Sequence, residues 1–338
     1  MSDAPQPAGA DPDVAPYLQL GPEAVLAAVE GAGYRCDGRL LALNSYENRV
    51  YQVGLEDAEP VVAKFYRPRR WSDAQILEEH RFTQDLAELE IPVVAPIADA
   101  EGGTLHRHGP FRFALYPRRG GRAPDLEDPA QLEQFGRFLG RIHAFGAVRP
   151  FVHRPALTVE GFGEESRAFL LENGFIPRDL EPAYGTLTED LLRRVRGCFE
   201  RAGDVRVLRL HGDCHPGNIL WTAEGPHIVD FDDARNGPAV QDLWMFLSGD
   251  RAFMTARLAD LLEGYTRFYE FDPRELHLIE ALRTLRMLHY AAWIARRWND
   301  PAFPRAFPWF AAPRYWEEHI LSLREQAALM DEPPLAWA

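Results

Sequence analysis

Asp213 and Asn218 stand five residues apart in the stretch HGDCHPGN, and Asp230 follows in IVDFDDAR. A carboxylate in a loop, an amide oxygen soon after and a second carboxylate at the end of the next strand are the parts that phosphoryl transfer uses. One carboxylate takes or orients the proton of an attacking hydroxyl. The amide oxygen and the other carboxylate grip Mg²⁺ against nucleotide phosphates. Mg²⁺ is a hard cation that prefers oxygen donors and is held by only one or two carboxylates. The Asp–Asn spacing alone is weak, because both residue types are common in turns. A following strand that ends in Asp-Phe makes the pattern more specific. The same knot admits a second chemistry. His211, Asp213 and His215, with Cys214 beside them, could ligate Zn²⁺ in a hydrolase. Their spacing is unlike H-E-x-x-H, and a loop holding Pro216 and Gly217 does not present one helical face.

The N-terminal third supplies a possible nucleotide site. In PVVAKFYR, Lys64 alternates with Val61, Ala63 and Phe65, so it points away from their apolar face. It can reach α/β phosphates or simply snorkel at the surface. The next helical pattern carries Glu78 and Glu79. Glu79 is the expected partner of Lys64, because Leu86, seven residues on, shares its inward face. Glu78 is expected on the solvated side. There is no G-x-G-x-x-G loop. NSYENRVY stands in its place, and exposed backbone N–H groups with Ser45 can still cradle a phosphate.

These residues must be placed by two blocks. GRLLALN, NRVYQVGL, PVVAKFYR, VVAPIA and FRFALYP read as strands. A helix over SDAQILEEHRFTQDLAEL, capped by Ser72 and with Ile76, Leu77, His80, Leu86 and Leu89 at helical spacing, sits between the third and fourth. RRGGRAPDLEDP, Arg118 to Pro129, is a Gly/Pro-rich break, with Gly120 and Gly121 as a mobile link. Beyond it the pattern is helical, interrupted by the strands VRVLRL, NILW and PHIVDF around the polar loops. NDPAFPRAFPWF could line a groove with Phe303, Phe307 and Trp309, or cap the helical core. The expected fold class is α+β, with a small antiparallel β lobe carrying one long helix and a larger, mostly helical lobe. The boundaries are residues 1–16 for a disordered tail, 17–117 for a nucleotide-binding lobe and 118–338 for a catalytic and substrate lobe.

Composition narrows the partners. With 37 basic against 51 acidic residues the net charge is −14, which argues against nucleic acid as the main partner. ATP needs only a local cationic cluster and a metal, so it stays open. The 3 cysteines, Cys36, Cys198 and Cys214, form no disulfide or zinc pattern, so a cytoplasmic location is expected. The N-terminus lacks a signal peptide's basic and apolar regions, no apolar run is long enough for a membrane span, and a monomer is expected.

HGDCHPGN with IVDFDDA resembles the catalytic and metal loops of the aminoglycoside phosphotransferase and choline kinase-like superfamily. LNSYENRVYQV, VVAKFYRP, ILEEHRF, DDARNGPAVQDLWM and RRWNDPAFPRAFPW extend the resemblance to the superfamily's bacterial stress response kinases, from about Leu18 to near Glu325. This implies a protein-kinase-like fold and an ATP- and Mg²⁺-dependent serine/threonine protein kinase. It implies Asp213 as the active-site residue, Asn218 and Asp230 as Mg²⁺ ligands, and Ser45 as an ATP contact. His211 would hold the loop and His215 would support it. Asp232 stands where protein kinases carry the glycine of Asp-Phe-Gly. A small-molecule kinase on the same fold is the main alternative, since the acidic balance suits a cationic acceptor such as an aminoglycoside or choline. A catalytically dead nucleotide-binding adaptor is the third reading, against which Lys64, Asp213, Asn218 and Asp230 together speak.

Overall fold

One antiparallel sheet of 5 strands, in the order β1-β2-β3-β5-β4, forms the N-terminal lobe. Its strands are β1 (Cys36–Ala42), β2 (Arg49–Leu55), β3 (Val61–Phe65), β4 (His106–His108) and β5 (Phe111–Pro117). The computed structural model describes Tyr17 and residues 20–337, and the tail expected over residues 1–16 lies outside them. Alternation decides what each face of the sheet meets. Val61, Ala63 and Phe65 pack with Val53, Phe113 and Leu115 against Val25 and Val29 of α1 (Pro22–Gly31). Lys64, between them in sequence, lies on the other face beside Tyr66, Ile76 and Ala114.

VVAPIA does not form a strand. Only Val93 makes an isolated bridge, to Ile228. Pro92 and Pro96 remove the N–H donors a ladder needs, and the segment docks instead through single bonds from Val94 to Ile228 and from Ile97 to Leu115. The fifth strand is the short HRH hairpin arm.

The helix α2 (Asp73–Glu88) begins at a capping box: Gln75 N–H donates to Ser72 Oγ at 3.3 Å, and Ser72 N–H donates to Gln75 Oε1 at 2.8 Å. Such a cap stabilises a helix by about 1 kcal/mol. Its buried face is Ile76, Glu79, His80, Phe82, Thr83 and Leu86. Leu77 and Leu89, expected on that face, are exposed, and Phe82 takes the inward position.

The helical lobe comprises α3 (Pro129–Gly146), α4 (Glu165–Glu172), α5 (Glu181–Ala202), α6 (Arg251–Tyr265), α7 (Ile279–Arg296), α8 (Ala302–Ala306) and α9 (Pro313–Leu329). These share one apolar core that runs from Leu132 and Phe135 through Leu261 and Leu285 to Trp316 and Leu323. The architecture is the expected α+β fold with a β lobe and a helical lobe. Phe303 and Phe307 belong to this core, while Trp309 is exposed. The Pro/aromatic segment is therefore a cap, and it also reaches the other lobe, because the Phe307 ring lies 4.9 Å from that of Tyr46.

Two small antiparallel pairs are set into the helical lobe: β6 (Val207–Leu210) with β9 (Arg235–Pro238), and β7 (Ile219–Thr222) with β8 (Gly225–Ile228). The β9 strand was not expected from sequence. The β7–β8 hairpin is wedged between the lobes. Arg122 and Trp221 exchange backbone hydrogen bonds at 3.0 and 2.7 Å, and Ile228 N–H donates to Pro92 O at 2.8 Å. The link near Gly121 is thus fastened rather than free. Gly121 has φ +153°, and a Cβ there would lie 2.6 Å from the Leu220 carbonyl carbon, so only glycine fits the approach.

Candidate active site

Both polar loops are cinched at both ends by these pairs. Leu210 and Arg235 are register partners in β6/β9, and Ile219 and Ile228 are partners in β7/β8. The loop 211–218 and the loop 229–234 therefore run side by side, and Asp213, Asn218 and Asp230 come together. Val229 N–H donates to the Asn218 carbonyl at 3.0 Å, and the Asn218 amide nitrogen donates to the Asp213 carbonyl at 3.0 Å. That last bond engages the amide nitrogen and not the oxygen Oδ1. Asp230 has φ 62° and ψ 64°, a left-handed conformation that Asp tolerates better than most residues and that recurs at functional sites. It lies two residues beyond the end of β8, and its carboxylate is about half exposed.

The first loop is held from beneath by a residue the sequence reading did not single out. Asp242 is fully buried; its Oδ2 accepts the His211 N–H and its Oδ1 the Gly212 N–H, both at 2.8 Å. His143 Nε2 lies 3.2 Å from the same carboxylate. Gln241 donates to the Gly212 carbonyl at 3.0 Å. Gly212 has φ +85°, and a Cβ would lie 2.2 Å from the Asp233 carbonyl oxygen, so the middle residue of His-Gly-Asp must be glycine. An acid inside the apolar run AVQDLWMF was the available signal for Asp242.

Both His211 ring nitrogens are engaged. Nδ1 accepts the Asp213 N–H at 3.3 Å and Nε2 donates to Val229 O at 2.9 Å. A histidine so occupied is not a zinc ligand, which removes the hydrolase reading. His211 joins the two loops instead. His215 Nδ1 accepts the Gly217 N–H at 3.0 Å, and its Nε2 stands 3.6 Å from Asp213 Oδ2. Burial, only partly offset by Asp213, lowers the His215 pKa. Cys214 is fully buried, and desolvation pushes its thiol well above the ordinary range, the condition of an inert thiol.

Lys64 reaches across from the sheet. Its Nζ lies 2.8 Å from Asp230 Oδ1 and 3.2 Å from Asp232 Oδ1. Burial works to depress the ammonium, and these two carboxylates outweigh it, so its pKa stands well above the lysine value. The bonded partners of Lys64 are thus Asp230 and Asp232, whereas Glu79, the expected partner, acts on it only through its charge. Glu79 is buried as expected, and desolvation raises its carboxyl to about 7 against the pull of Lys64 and Arg154. Asp232 is nearly inaccessible, and besides Lys64 it meets Arg70 and the Asn48 amide, the latter at 3.1 Å. Burial would raise its carboxyl; Lys64 and Arg70 prevail and lower it.

Glu78 departs from expectation. It is not a solvated side chain: its carboxylate accepts the N–H groups of Val152, His153 and Arg154 at 2.6, 2.7 and 2.8 Å. Arg154 then donates to Ala234 O at 2.7 Å and to Asp232 O. The helix α2 is therefore bonded, through one short segment, to the loop that carries Asp230.

Ser45 lies half-buried in the β1–β2 loop, and its neighbours anchor that loop to the helical lobe. Glu47 lies 2.6 Å from Arg297 Nε, accepts from Trp293 Nε1 at 2.6 Å, and lies 3.0 Å from Arg67 Nε. Arg67 and Arg49 also reach Asp300, at 2.8 and 3.2 Å. On the opposite wall, Arg286 of α7 contacts Asp213 Oδ1. Nothing in ALRTLRMLHYAAW ties that arginine to Asp213.

The model of the phosphotransferase enzyme family matches residues 39–279. The chain belongs to that family. Over 319 residues, 94% of this chain and 96% of the relative, the phosphotransferase is 47% identical to stress response kinase A of Escherichia coli (strain K12). With the same coverage it is 46% identical to the serine/threonine protein kinase RdoA of Salmonella typhimurium (strain LT2). Its fold matches the amicoumacin kinase hAmiN, solved with AMP-PNP, Ca²⁺ and Ami, at TM-score 0.73 and 19% identity over 95% of this chain and 97% of that one. A microcompartment-associated aminopropanol kinase follows at TM-score 0.68 and 17% identity, covering 91% and 96%. The protein is thus an enzyme that transfers phosphate, a kinase. Among the described residues no helix is long and apolar enough to cross a membrane.

Proposed function

We propose that this kinase uses ATP and Mg²⁺ to phosphorylate serine or threonine of a protein, in the cytoplasmic response to stress. The observation that supports this above a small-molecule reading is identity near 47% along 94% of the chain with kinases so named. The small-molecule kinases resemble it in fold alone, and one fold hosts many substrates.

The donor set suits Mg²⁺. Asn218 Oδ1 and the Asp230 carboxylate are hard oxygen donors on adjoining loops, with no sulfur or imidazole among them. A cation held there by Asn218 and Asp230 would neutralise phosphate charge. Lys64 binds phosphate oxygens from the sheet, and Ser45 lies on the loop that would cover them. Asp232 holds Lys64 whichever partner Asp230 takes. Asp213 receives the acceptor's proton as its hydroxyl oxygen bonds to the γ-phosphorus, the bond from that phosphorus to the β-phosphate oxygen breaks, and ADP leaves. The loop is held by Asp242, Gln241 and His211, so this base needs no reorganisation before it acts.

The test is incubation with Mg-ATP and, separately, protein substrates, aminoglycosides, choline and homoserine, with mass spectrometry to place the phosphate. Phosphoserine or phosphothreonine that disappears with chelator and returns with Mg²⁺ is expected. Efficient labelling of a small alcohol with none on protein would overturn the protein reading, and activity indifferent to chelator would overturn the metal assignment.

A further inference from the structure

Among the described residues, the Asp213 carboxylate is paired with the Arg286 guanidinium on one oxygen, and the His215 imidazole stands 3.6 Å from the other. Arg286 projects from α7, and its side chain is 40% exposed. Four residues on along that helix Tyr290 is also exposed, and its ring stacks on Trp293 at 5.7 Å and 16°. Phe307 and Tyr46 continue this aromatic wall toward the β1–β2 loop. Arg283, one turn earlier on the helix, is already engaged by Glu280 at 3.1 Å and by Leu247 O at 3.0 Å. Arg286 differs from it, because its anchor is the very carboxylate that an acceptor hydroxyl must approach.

We infer that Arg286 selects the acceptor, favouring a hydroxyl flanked by carboxylates and rejecting one flanked by ammonium groups. Once the hydroxyl takes its hydrogen bond to Asp213, the guanidinium shares its partner and keeps donors turned to solvent. It has five N–H groups in a fixed fork, and a carboxylate on the acceptor satisfies them in bidentate fashion. An ammonium brought to the same place meets a like charge, a repulsive element that lowers affinity for the wrong substrate. The net charge of −14 would suit a cationic acceptor, but recognition depends on the groups at the site. Beside Asp213 the cation in contact is Arg286. This rests on the kinase reading above and adds to it an acidic peptide as the acceptor class.

The experiment measures kcat/KM for peptides of equal length with one serine flanked on both sides by Glu, Gln or Lys. The enzymes are the wild type, Arg286→Lys, Arg286→Met and Arg286→Glu. The wild type should favour the Glu peptide over the Lys peptide by about two- to fivefold, the scale of one partly exposed charge contact. That preference should shrink as ionic strength rises to about 0.5 M. Arg286→Lys should keep most of it, Arg286→Met should lose it and Arg286→Glu should reverse it. The KM for ATP should hold in all three, a pattern that a general loss of folding would not give. Equal use of the three peptides by the wild type, or a preference that survives in Arg286→Glu, overturns the inference. Should no peptide be labelled, glycerate and ethanolamine form a second pair. Labelling of glycerate above ethanolamine keeps the role of Arg286 while refuting a protein acceptor, and the reverse order refutes Arg286 as a selector.

Discussion

Asp242→Asn is the most searching test of how the catalytic loop is held. The carboxylate accepts N–H groups from His211 and Gly212, each at 2.8 Å, and faces His143 at 3.2 Å. Asparagine has nearly the same shape but only one acceptor oxygen. Whichever way the amide turns, one backbone N–H faces an NH₂ group, donor against donor. A buried donor left unpaired costs about 1–3 kcal/mol, and the surviving bond loses its charge assistance. The total is about 2–4 kcal/mol on those principles, a large part of the roughly 5–15 kcal/mol that holds a typical domain. The variant should fold with a lower Tm. Relief of the clash moves the His211–Gly212 backbone, and Asp213 follows directly. A misplacement of about 1 Å costs about 10²-fold in rate. Lys64 hangs from the sheet and Asp230 reaches this loop only through the His211–Val229 bond, so the KM for ATP should change less than the rate of transfer. Single-turnover transfer and thermal unfolding, run with and without Mg-ATP, read these effects separately. Wild-type turnover with an unchanged Tm would show that the loop does not depend on this carboxylate.

Asp213→Ala should cost roughly 10²–10⁴-fold in turnover, the usual contribution of a positioned acid–base group, while nucleotide binding followed by calorimetry persists; retention of most of the wild-type rate would remove Asp213 from the chemistry. Lys64→Ala and Asp232→Asn should weaken ATP binding in parallel, and Asp232→Asn should also destabilise by about 3–5 kcal/mol because it strips one partner from buried cations. A Glu79→Gln enzyme that loses as much ATP affinity as Lys64→Ala would restore Glu79 as the partner of the lysine. Glu79 also predicts a pH effect, because burial raises its carboxyl from 4.5 to about 7. Between those values the folded state carries a proton that the unfolded state has released, so this group's contribution to stability falls as pH rises through the window and stays lost above it. Glu79→Gln stays neutral throughout, so its Tm should gain on the wild type between about pH 5 and pH 8, by at most about 3 kcal/mol of stability; a parallel pair of Tm curves would rule this out.

Local rules read well from this sequence, and distances between remote segments did not. The cap at Ser72 follows from its residue type, and the inward direction of Glu79 and the opposed faces of Lys64 and Phe65 follow from periods of 3.6 and 2.0. Periodicity states which way a side chain points and not which group it meets. Lys64 finds Asp232 as well as Asp230 because Asn48, Arg70 and the Arg154 guanidinium fix the loop there, contacts spanning 78 to 184 residues of chain. Glu78 looked solvated because its acceptor-seeking amides at 152–154 lie more than 70 residues away. The VVAPIA run failed for a local reason, since two prolines in it and before it outweigh its β-branched composition. Asp242 and Arg286 sit inside apolar helical or turn segments, where a charged residue signals burial or a cleft but does not name its partner.

The ion pairs between the lobes also bear on how a nucleotide is accepted. Lys64 and Arg70 from the β lobe face Asp230, Asp232 and Asp233. Arg67 and Arg49 face Asp300, and Glu47 faces Arg297. In the proposed reaction these contacts would have to admit phosphate beside Lys64. Lys64 would share its contact with Asp230 with phosphate oxygens, and Asp232 would keep the buried ammonium paired. Asp232 does not exchange, because Arg70 and Lys64 both hold it in a site from which water is nearly excluded. A helix swinging away from the sheet, which would break a lysine–glutamate pair borne by α2, would leave the Lys64–Asp232 contact in place.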